Sequence, residues 1–118
     1  MSRRTKRIGD WGEDRACEFL RRHGFEIVGR NYHTTSGEID IIAASGGDYY
    51  FIEVKTRMQS ELANDESITF FKKARMQKAA RSYCLRKNIS GGSLIFAGVI
   101  VAVDRTRKKA GIRFCAFC

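Results

Sequence analysis

The chain has 118 residues, enough for one domain with a sizeable core and too few for two. Its 22 Lys and Arg against 13 Asp and Glu give a formal net charge of +9. This favours nucleic acid as a partner, ahead of an acidic membrane surface or ribosomal RNA. No run approaches the roughly 18 to 20 apolar residues of a membrane span, and no apolar signal-peptide core follows the basic N-terminus. We therefore expect a cytoplasmic protein without a membrane partner.

A short basic segment opens the chain and is expected to form an N-terminal arm over residues 1–8. Its cationic residues are Arg3, Arg4, Lys6 and Arg7. Such a segment is either a solvated tail or a contact for an anionic partner. Residues 9–118 are expected to form a single domain.

The first helix is predicted from about Gly9 to His23, with Gly24 as its C-terminal cap. One broad face of this helix carries Gly12, Glu13, Ala16, Cys17, Phe19 and Leu20. An ionised group is costly to bury unless it is paired or bound to a metal, so Glu13 is either a functional acid or the partner of a basic residue. Trp11 projects to the polar side, where it could stack on a base or pack over the arm.

The stretch 37–55, GEIDIIAASGGDYYFIEVK, follows a first strand (Phe25 to Asn31) and a polar loop ending at Ser36. It predicts two strands, 38–44 and 49–55, joined by a tight turn. If Gly46 and Gly47 form a two-residue primed turn, the antiparallel register places Asp40 opposite Glu53 and Glu38 opposite Lys55. All four charged side chains then share one face of the sheet.

Two facing carboxylates repel each other, and a divalent cation between Asp40 and Glu53 would offset that repulsion. Lys55 could then orient or deprotonate an attacking water, or stabilise charge on a phosphate. The alternative is an ordinary ion pair between Glu38 and Lys55, with Asp40 and Glu53 solvated. His33 in the preceding loop is either an alternative general base or an exposed residue without a catalytic role.

After a polar stretch at 56–66, a second helix is expected from a cap at Asp65 or Ser67 to about Asn88. Its packing face carries Met76, Ala79, Ala80, Tyr83 and Cys84, and its basic outer face carries Arg75, Lys78, Arg81 and Arg86. Lys72 projects beside the packing face, where it either snorkels to solvent or reaches a phosphate. The outer face is either simply solvated or contacts backbone phosphates.

The most apolar run, Leu94 to Val103, predicts a strand buried on both faces. A basic turn over 104–111 and a final strand from Ile112 to Phe117 follow. The four cysteines are expected to be reduced thiols, because the single CxxC at Cys115 and Cys118 has no second ligand pair for zinc.

Several short motifs spread over nearly the entire chain resemble those of one protein family. They are Gly12-Glu13 with Ala16, Asn31-Tyr32, GEIDIIA at 37–43, FIEVKTR at 51–57, Ile68 and Lys72 with Ala80, and Ala116-Phe117. This pattern resembles the PD-(D/E)XK nuclease superfamily, and more closely the bacterial UPF0102, or YraN-like, family of uncharacterised proteins.

The resemblance implies an α/β (α+β) fold with a restriction-endonuclease-like core. We expect a central mixed sheet of about five strands flanked by two main helices, in the order αβββαββ. By the same resemblance, the acids matching Asp40 and Glu53 hold the metal, the lysine matching Lys55 assists hydrolysis, and the acid matching Glu13 supports the metal site.

The resulting hypothesis is a Mg²⁺- or Mn²⁺-dependent endonuclease acting on DNA, including branched or structured DNA. The Val54 carbonyl and waters would complete the metal shell. The basic side chains that would contact the backbone phosphates of DNA are Arg3, Arg4, Lys6, Arg7, Arg57, Lys72, Arg75 and Lys78. The alternatives are a non-catalytic nucleic-acid-binding module and a scaffold for a protein partner. RNA remains open as the nucleic acid, and a homodimer would suit the cutting of two strands.

Overall fold

The computed structural model describes residues 3–58 and 70–117, with side chains described for 9–58 and 73–116. The elements in chain order are α1 (Arg3–Arg22), β1 (Glu26–Thr34), β2 (Gly37–Ser45), β3 (Asp48–Met58), α2 (Phe70–Arg86), β4 (Leu94–Asp104) and β5 (Lys109–Phe117). The predicted order αβββαββ and the α+β class are therefore confirmed. Within these ranges, neither helix is long and apolar enough to cross a membrane.

The five strands form one mixed sheet in the order β1-β2-β3-β4-β5. Strands β3 and β4 are parallel, and the three other neighbouring pairs are antiparallel. A parallel pair needs a long crossover connection, and the segment that contains α2 supplies it. The interior position of β4 explains the apolar run that predicted it, since most of its central residues are buried.

One helix packs on each face of the sheet, as the predicted amphipathic faces require. The α1 side buries Ala16, Cys17 and Leu20 against Ile41, Ala43, Ile52, Ala97, Val99 and Val101. The α2 side buries Met76, Ala79, Ala80 and Tyr83 against Ile39, Ile42 and Phe51. Arg75, Lys78, Arg81 and Arg86 are exposed, as predicted for the outer face of α2. In the described part of the chain, Cys17, Cys84 and Cys115 are free thiols.

The predicted start of α1 at Gly9 is wrong, because the helix already begins at Arg3. Arginine and lysine are good helix formers and no proline interrupts the segment, so the backbone of the basic stretch continues the helix. The predicted C-terminal cap is confirmed: Gly24 has φ +86°, and the Phe25 N–H donates to the Leu20 carbonyl at 3.0 Å. This bond is the long one of a Schellman motif.

The hairpin between β2 and β3 has the predicted turn and register. Gly46 and Gly47 have φ of 58° and 84°, as a type I′ turn requires, and Ser45 pairs with Asp48. The ladder continues in the same register to the pair of Ile41 with Ile52. The turn residues therefore set the faces of both strands.

Three strands extend by three residues beyond a predicted end, because a neighbouring strand pairs with the added residues. Strand β1 continues through 32–34, where a loop was predicted, and pairs with 37–39 of β2. Strand β3 continues through 56–58 beside β4, and β5 begins at Lys109 rather than Ile112. Backbone pairing thus overrides the polar character of these residues. The predicted loop over 59–66 and the caps at Asp65 and Ser67 lie outside the described residues.

The two glycines of α1 predict opposite effects of adding a methyl group. An alanine Cβ at Gly12 would overlap Thr56 Oγ1 on β3, whereas a Cβ at Gly9 would meet no atom within 4 Å among the described residues outside its own stretch of helix. Gly12→Ala should destabilise the fold by about 1 to 3 kcal/mol through overpacking. Gly9→Ala should stabilise it by about 1 kcal/mol through helix propensity. Urea unfolding of both variants measures the difference, and equal shifts would contradict close packing of α1 on β3.

Candidate active site

The site is organised by the point at which β2 and β3 separate. The described ladder between them ends at Ile41 and Ile52. Beyond it, Asp40 Oδ2 accepts a hydrogen bond from the Val54 N–H at 2.8 Å. In a continued ladder this N–H would donate to the carbonyl of Ile39. A side-chain carboxylate has thus replaced a backbone carbonyl as the acceptor.

This corrects one detail of the predicted hairpin. Asp40 and Glu53 were expected as directly opposed ladder residues, as were Glu38 and Lys55, but neither pair belongs to the observed ladder. The physical reason is that Asp40 captures the Val54 N–H, while β3 continues along β4 as its parallel neighbour.

The residues flanking Asp40 change faces at the same position. Ile41 packs on the α1 side, yet Ile39, two residues earlier, packs on the α2 side. Strict alternation would place both on one face. On β1, Asn31 has φ 52° and lies between Arg30 and Tyr32, which pair with Ile41 and Ile39 on either side of Asp40. Tyr32 packs on the α2 side with Ile39. A local twist shared by both strands therefore sets the position of the Asp40 carboxylate.

A cleft of about 610 Å³ lies where the strands separate. It is lined by His33, Thr34, Thr35, Ser36, Gly37, Glu38, Asp40, Glu53, Val54, Lys55, Arg75 and Met76. The predicted set of Asp40, Glu53, Val54 and Lys55 is thus brought together on one surface. Arg75, predicted as a phosphate contact, stands on the opposite wall.

The α2 wall of the cleft depends on a glycine in β2. A Cβ added at Gly37 would lie 2.6 Å from the main-chain oxygen of Arg75. No side chain fits at that separation, so glycine permits the helix backbone to approach the start of β2. This contact sets the distance between the helix and the carboxylates.

The charges in the cleft are close together and partly shielded from water. Lys55 Nζ lies 3.3 Å from Glu53 Oε1, and the two side chains are 20% and 17% exposed. Burial raises the pKa of Asp40, and repulsion from Glu53 and Glu38 adds to this, while the Val54 N–H and Lys55 oppose it. Burial and the neighbouring acids therefore both disfavour the ionised form of Asp40.

Glu38 and His33 form a separate pair at the rim of the cleft. Glu38 Oε2 lies 3.0 Å from His33 Nδ1, and both side chains are 66% exposed. The alternative ion pair between Glu38 and Lys55 is not formed. Glu38 instead lies beside His33 on the neighbouring strand β1, and Lys55 lies beside Glu53 on its own strand β3. His33 does reach the cleft, held by a carboxylate.

Glu13 is buried, as predicted, but does not line the cleft. Burial, followed by repulsion from Asp40, raises its pKa to about 7, and Arg30 opposes the rise. The nearby cation Arg30 is itself paired with Asp14 at 3.0 Å. Glu13 Oε1 is buried and has no hydrogen-bond partner within the described part of the chain. Glu13 therefore acts on Asp40 through space from the α1 side.

Asp40 and Glu53, the predicted metal ligands, both line the cleft. Among residues 9–58 and 73–116, no group of three or more His, Cys, Asp or Glu side chains is placed to hold one. Two carboxylates and a backbone carbonyl at Val54 are nevertheless the oxygen donors that Mg²⁺ takes while keeping several waters. Burial, and then repulsion from Glu53 and Glu38, raises the pKa of Asp40, and a bound cation would favour its ionised form.

The other predicted phosphate contacts are distributed differently. Lys78 is exposed on the turn of α2 that follows Arg75. Arg57 is partly buried, donates to the Thr56 carbonyl at 3.1 Å and does not line the cleft. The side chains of Arg3, Arg4, Lys6, Arg7 and Lys72 lie outside the described residues.

Sequence comparison identifies relatives over most of the chain. The model of a family described as "Uncharacterised protein family UPF0102" matches residues 12–115. A UPF0102 protein of Moorella thermoacetica is 36% identical over 113 residues, covering 95% of this chain and 94% of the relative. UPF0102 proteins of Roseiflexus castenholzii and Thermotoga neapolitana are each 43% identical over 84 residues, covering 70% of this chain and 68% and 78% of the relatives.

The raised pKa of Glu13 predicts a pH-dependent stability in the metal-free protein. The folded state holds this proton up to a pKa of about 7, whereas an unperturbed glutamate has a pKa of 4.5. The contribution of Glu13 to the free energy of unfolding is therefore fully present below pH 4.5, falls as the pH rises to about 7 and then levels off. Glu13→Gln should remove this decline, on the order of 2 to 3 kcal/mol, in urea unfolding with EDTA. Glu18→Gln, on the exposed face of α1, is the control, and identical pH profiles for the two variants would contradict the prediction.

Proposed function

This chain belongs to UPF0102, an uncharacterised protein family, and we propose that it is a metal-dependent endonuclease that hydrolyses phosphodiester bonds of DNA. The observation that carries the proposal is the cleft where β2 and β3 separate. Asp40, Glu53, Val54 and Lys55 line this cleft together, with Arg75 facing them. Acidic oxygen donors, an ammonium group and a guanidinium in one open cleft are the groups that phosphoryl-transfer chemistry requires.

In the proposed site, Asp40 and Glu53 hold Mg²⁺ or Mn²⁺, and the Val54 carbonyl supplies a third oxygen. The bound ion would activate a water and stabilise charge on the phosphoryl oxygens. Asp40 is well suited to this role, since the Val54 N–H fixes one carboxylate oxygen and so orients the other. A rigid ligand loses little conformational entropy when it binds.

Lys55 supplies positive charge beside the reacting phosphate. Its Nζ is held 3.3 Å from Glu53 Oε1, so the ammonium stays in the cleft when substrate is absent. An ammonium preorganised in a partly shielded site stabilises developing negative charge more strongly than one in water. It can also orient the attacking water by a hydrogen bond.

Glu13 acts as a positioning residue in this proposal. It lies on the α1 side and repels Asp40 electrostatically without lining the cleft. Once ionised, its negative charge adds to the field that favours a cation at Asp40.

Arg75 and Lys78 extend the site along the exposed face of α2. They lie on adjacent turns of that helix, and Arg75 lines the cleft directly. Such a row can follow a phosphate backbone without reading its sequence. Together with the net charge of +9, it favours a nucleic acid over a small phosphate ester as substrate.

A second candidate is a non-catalytic nucleic-acid-binding module. The contact of Lys55 with Glu53 favours it, because the ammonium already neutralises one of the two acids that would hold the metal. The placement of both Asp40 and Glu53 in the cleft supports the enzyme instead, since a pure binder gains nothing from carboxylates facing phosphates.

The enzyme predicts cleavage that depends on the two acids. Asp40→Asn and Glu53→Gln should each lower the rate of Mn²⁺-dependent cutting at least 100-fold, on the order of 3 kcal/mol in transition-state stabilisation. Asparagine keeps an oxygen that can accept the Val54 N–H, so the fold should survive. End-labelled single-stranded, duplex, flap and four-way-junction DNA are the substrates. The control is Glu26→Gln, an exposed acid on β1.

The binding module predicts a different result from the same experiment. Wild type and both variants would then bind DNA with a strong salt dependence, and none would cut in EDTA, Mg²⁺ or Mn²⁺. Cutting that survives in both variants would overturn the proposed site.

Metal binding can be measured without any activity. Mn²⁺ should stabilise wild type against thermal unfolding, by about 2.7 kcal/mol at a free concentration 100-fold above the dissociation constant. Asp40→Asn should abolish this stabilisation, whereas Glu26→Gln should retain it. An equal response of all three proteins would place the ion elsewhere.

A further inference from the structure

We propose that Trp11 and the turn between β4 and β5 form a second nucleic-acid contact, which stacks an unpaired base of single-stranded DNA. This inference rests on the proposed function and narrows its substrate class to DNA that contains a single-stranded segment. The contact lies on the α1 side of the sheet and shares no residue with the cleft.

The contact is a shallow cavity of about 310 Å³ between α1 and the end of β4. Its lining consists of Trp11, Val103, Asp104, Arg105, Lys108, Lys109 and Ala110. The indole of Trp11 is 39% exposed, so a large aromatic surface is accessible to a ligand. Val103 and Ala110 add apolar surface beside the ring.

The indole is held in place by its own helix. The Arg15 guanidinium lies over the Trp11 ring, 5.8 Å from its centroid, in a cation–π contact. Arg15 is anchored in turn by a hydrogen bond from Nη2 to Glu18 Oε1 at 2.9 Å. A flat aromatic surface on a rigid element loses little entropy when it stacks on a ligand.

The charges around the ring match a phosphate backbone. Arg105, Lys108 and Lys109 are all exposed around the turn. Asp104, the one acid of the lining, is occupied by the turn itself, because its Oδ1 accepts the N–H groups of Thr106 at 3.0 Å and Arg107 at 3.2 Å. The cavity thus combines a stacking surface with three cations.

This combination favours an unpaired base over a duplex or an acidic peptide. Single-strand-binding proteins use aromatic side chains for the bases and basic residues for the backbone. Bases inside a duplex are already stacked on one another and cannot reach an indole without being flipped out. An acidic peptide would use the cations but not the aromatic face.

The position of the cavity allows one DNA molecule to contact both sites. Glu53 pairs with Gly98 on β4, and Val103 lies five residues farther along the same strand, about 16 Å away. Cleft and cavity lie on opposite faces, toward the end of the sheet where β3 finishes. A strand that passes over this end could reach both, as the single-stranded arm of a branched or flapped duplex would.

Trp11 reports on its own contact, because the chain contains a single tryptophan. Its fluorescence is measured in Asp40→Asn with EDTA, which prevents cleavage, during titration with a single-stranded oligodeoxynucleotide or the same sequence as a duplex. Saturable, salt-sensitive quenching by the single strand, and weaker quenching by the duplex, is expected. Equal quenching by both, or none by the single strand, would overturn the proposal. Stronger quenching by an acidic peptide would identify a protein surface and overturn it equally.

Affinities from fluorescence anisotropy of labelled DNA complete the test. Trp11→Ala should weaken single-strand binding about 5- to 150-fold, the range expected for one stacked base. Trp11→Phe should recover part of this loss, and duplex affinity should stay within about twofold. The control is Leu85→Ala, which removes an apolar side chain that is 82% exposed on α2. A loss in Leu85→Ala equal to that in Trp11→Ala would contradict a specific contact.

The two proposals fail in distinguishable ways. Metal-dependent cleavage without quenching of Trp11 would overturn the stacking contact and leave the endonuclease intact. Quenching by single-stranded DNA without cleavage by wild type would support the contact and overturn the endonuclease.

Discussion

The hydrogen bond from the Val54 N–H to the Asp40 carboxylate determines the architecture of the site. It ends the ladder between β2 and β3 at Ile41 and Ile52, so the two strands separate while β3 continues beside β4. An unsatisfied amide at this depth would cost about 1 to 3 kcal/mol, and the carboxylate removes that cost without closing the gap. The cleft is therefore a consequence of how one backbone donor is satisfied.

Two glycines allow close contact between the helices and the sheet on either side of the cleft. Gly12 lets α1 approach Thr56 on β3, and Gly37 lets the backbone of α2 approach the start of β2. The first contact places Glu13 within electrostatic reach of Asp40, and the second places Arg75 across the cleft. The same packing that buries the core on each face of the sheet thus positions charge on each side of the Asp40 carboxylate.

Much of this arrangement could be predicted from local sequence. Gly46-Gly47 set the hairpin register, and helical periodicity identified the buried faces of α1 and α2, because turn geometry and amphipathicity depend on neighbouring residues alone. The separation of the strands at Asp40 could not be predicted, because it depends on competition between a side chain and a distant backbone carbonyl. The pair of His33 with Glu38 could not be predicted either, because it forms across a turn between two strands. The cavity beside Trp11 joins residues that are more than 90 positions apart in the sequence.

The acidic residues of the cleft contrast with the positive net charge of the chain. A net charge of +9 attracts any polyanion, yet the cleft places Asp40, Glu53 and Glu38 where a phosphate would approach. For binding alone, these acids would repel the ligand, although Lys55 lies beside Glu53 and Arg75 also lines the cleft. A site that raises the pKa of its own central carboxylate carries an electrostatic cost even in the free protein. Binding of a cation or a proton at Asp40 would relieve this cost.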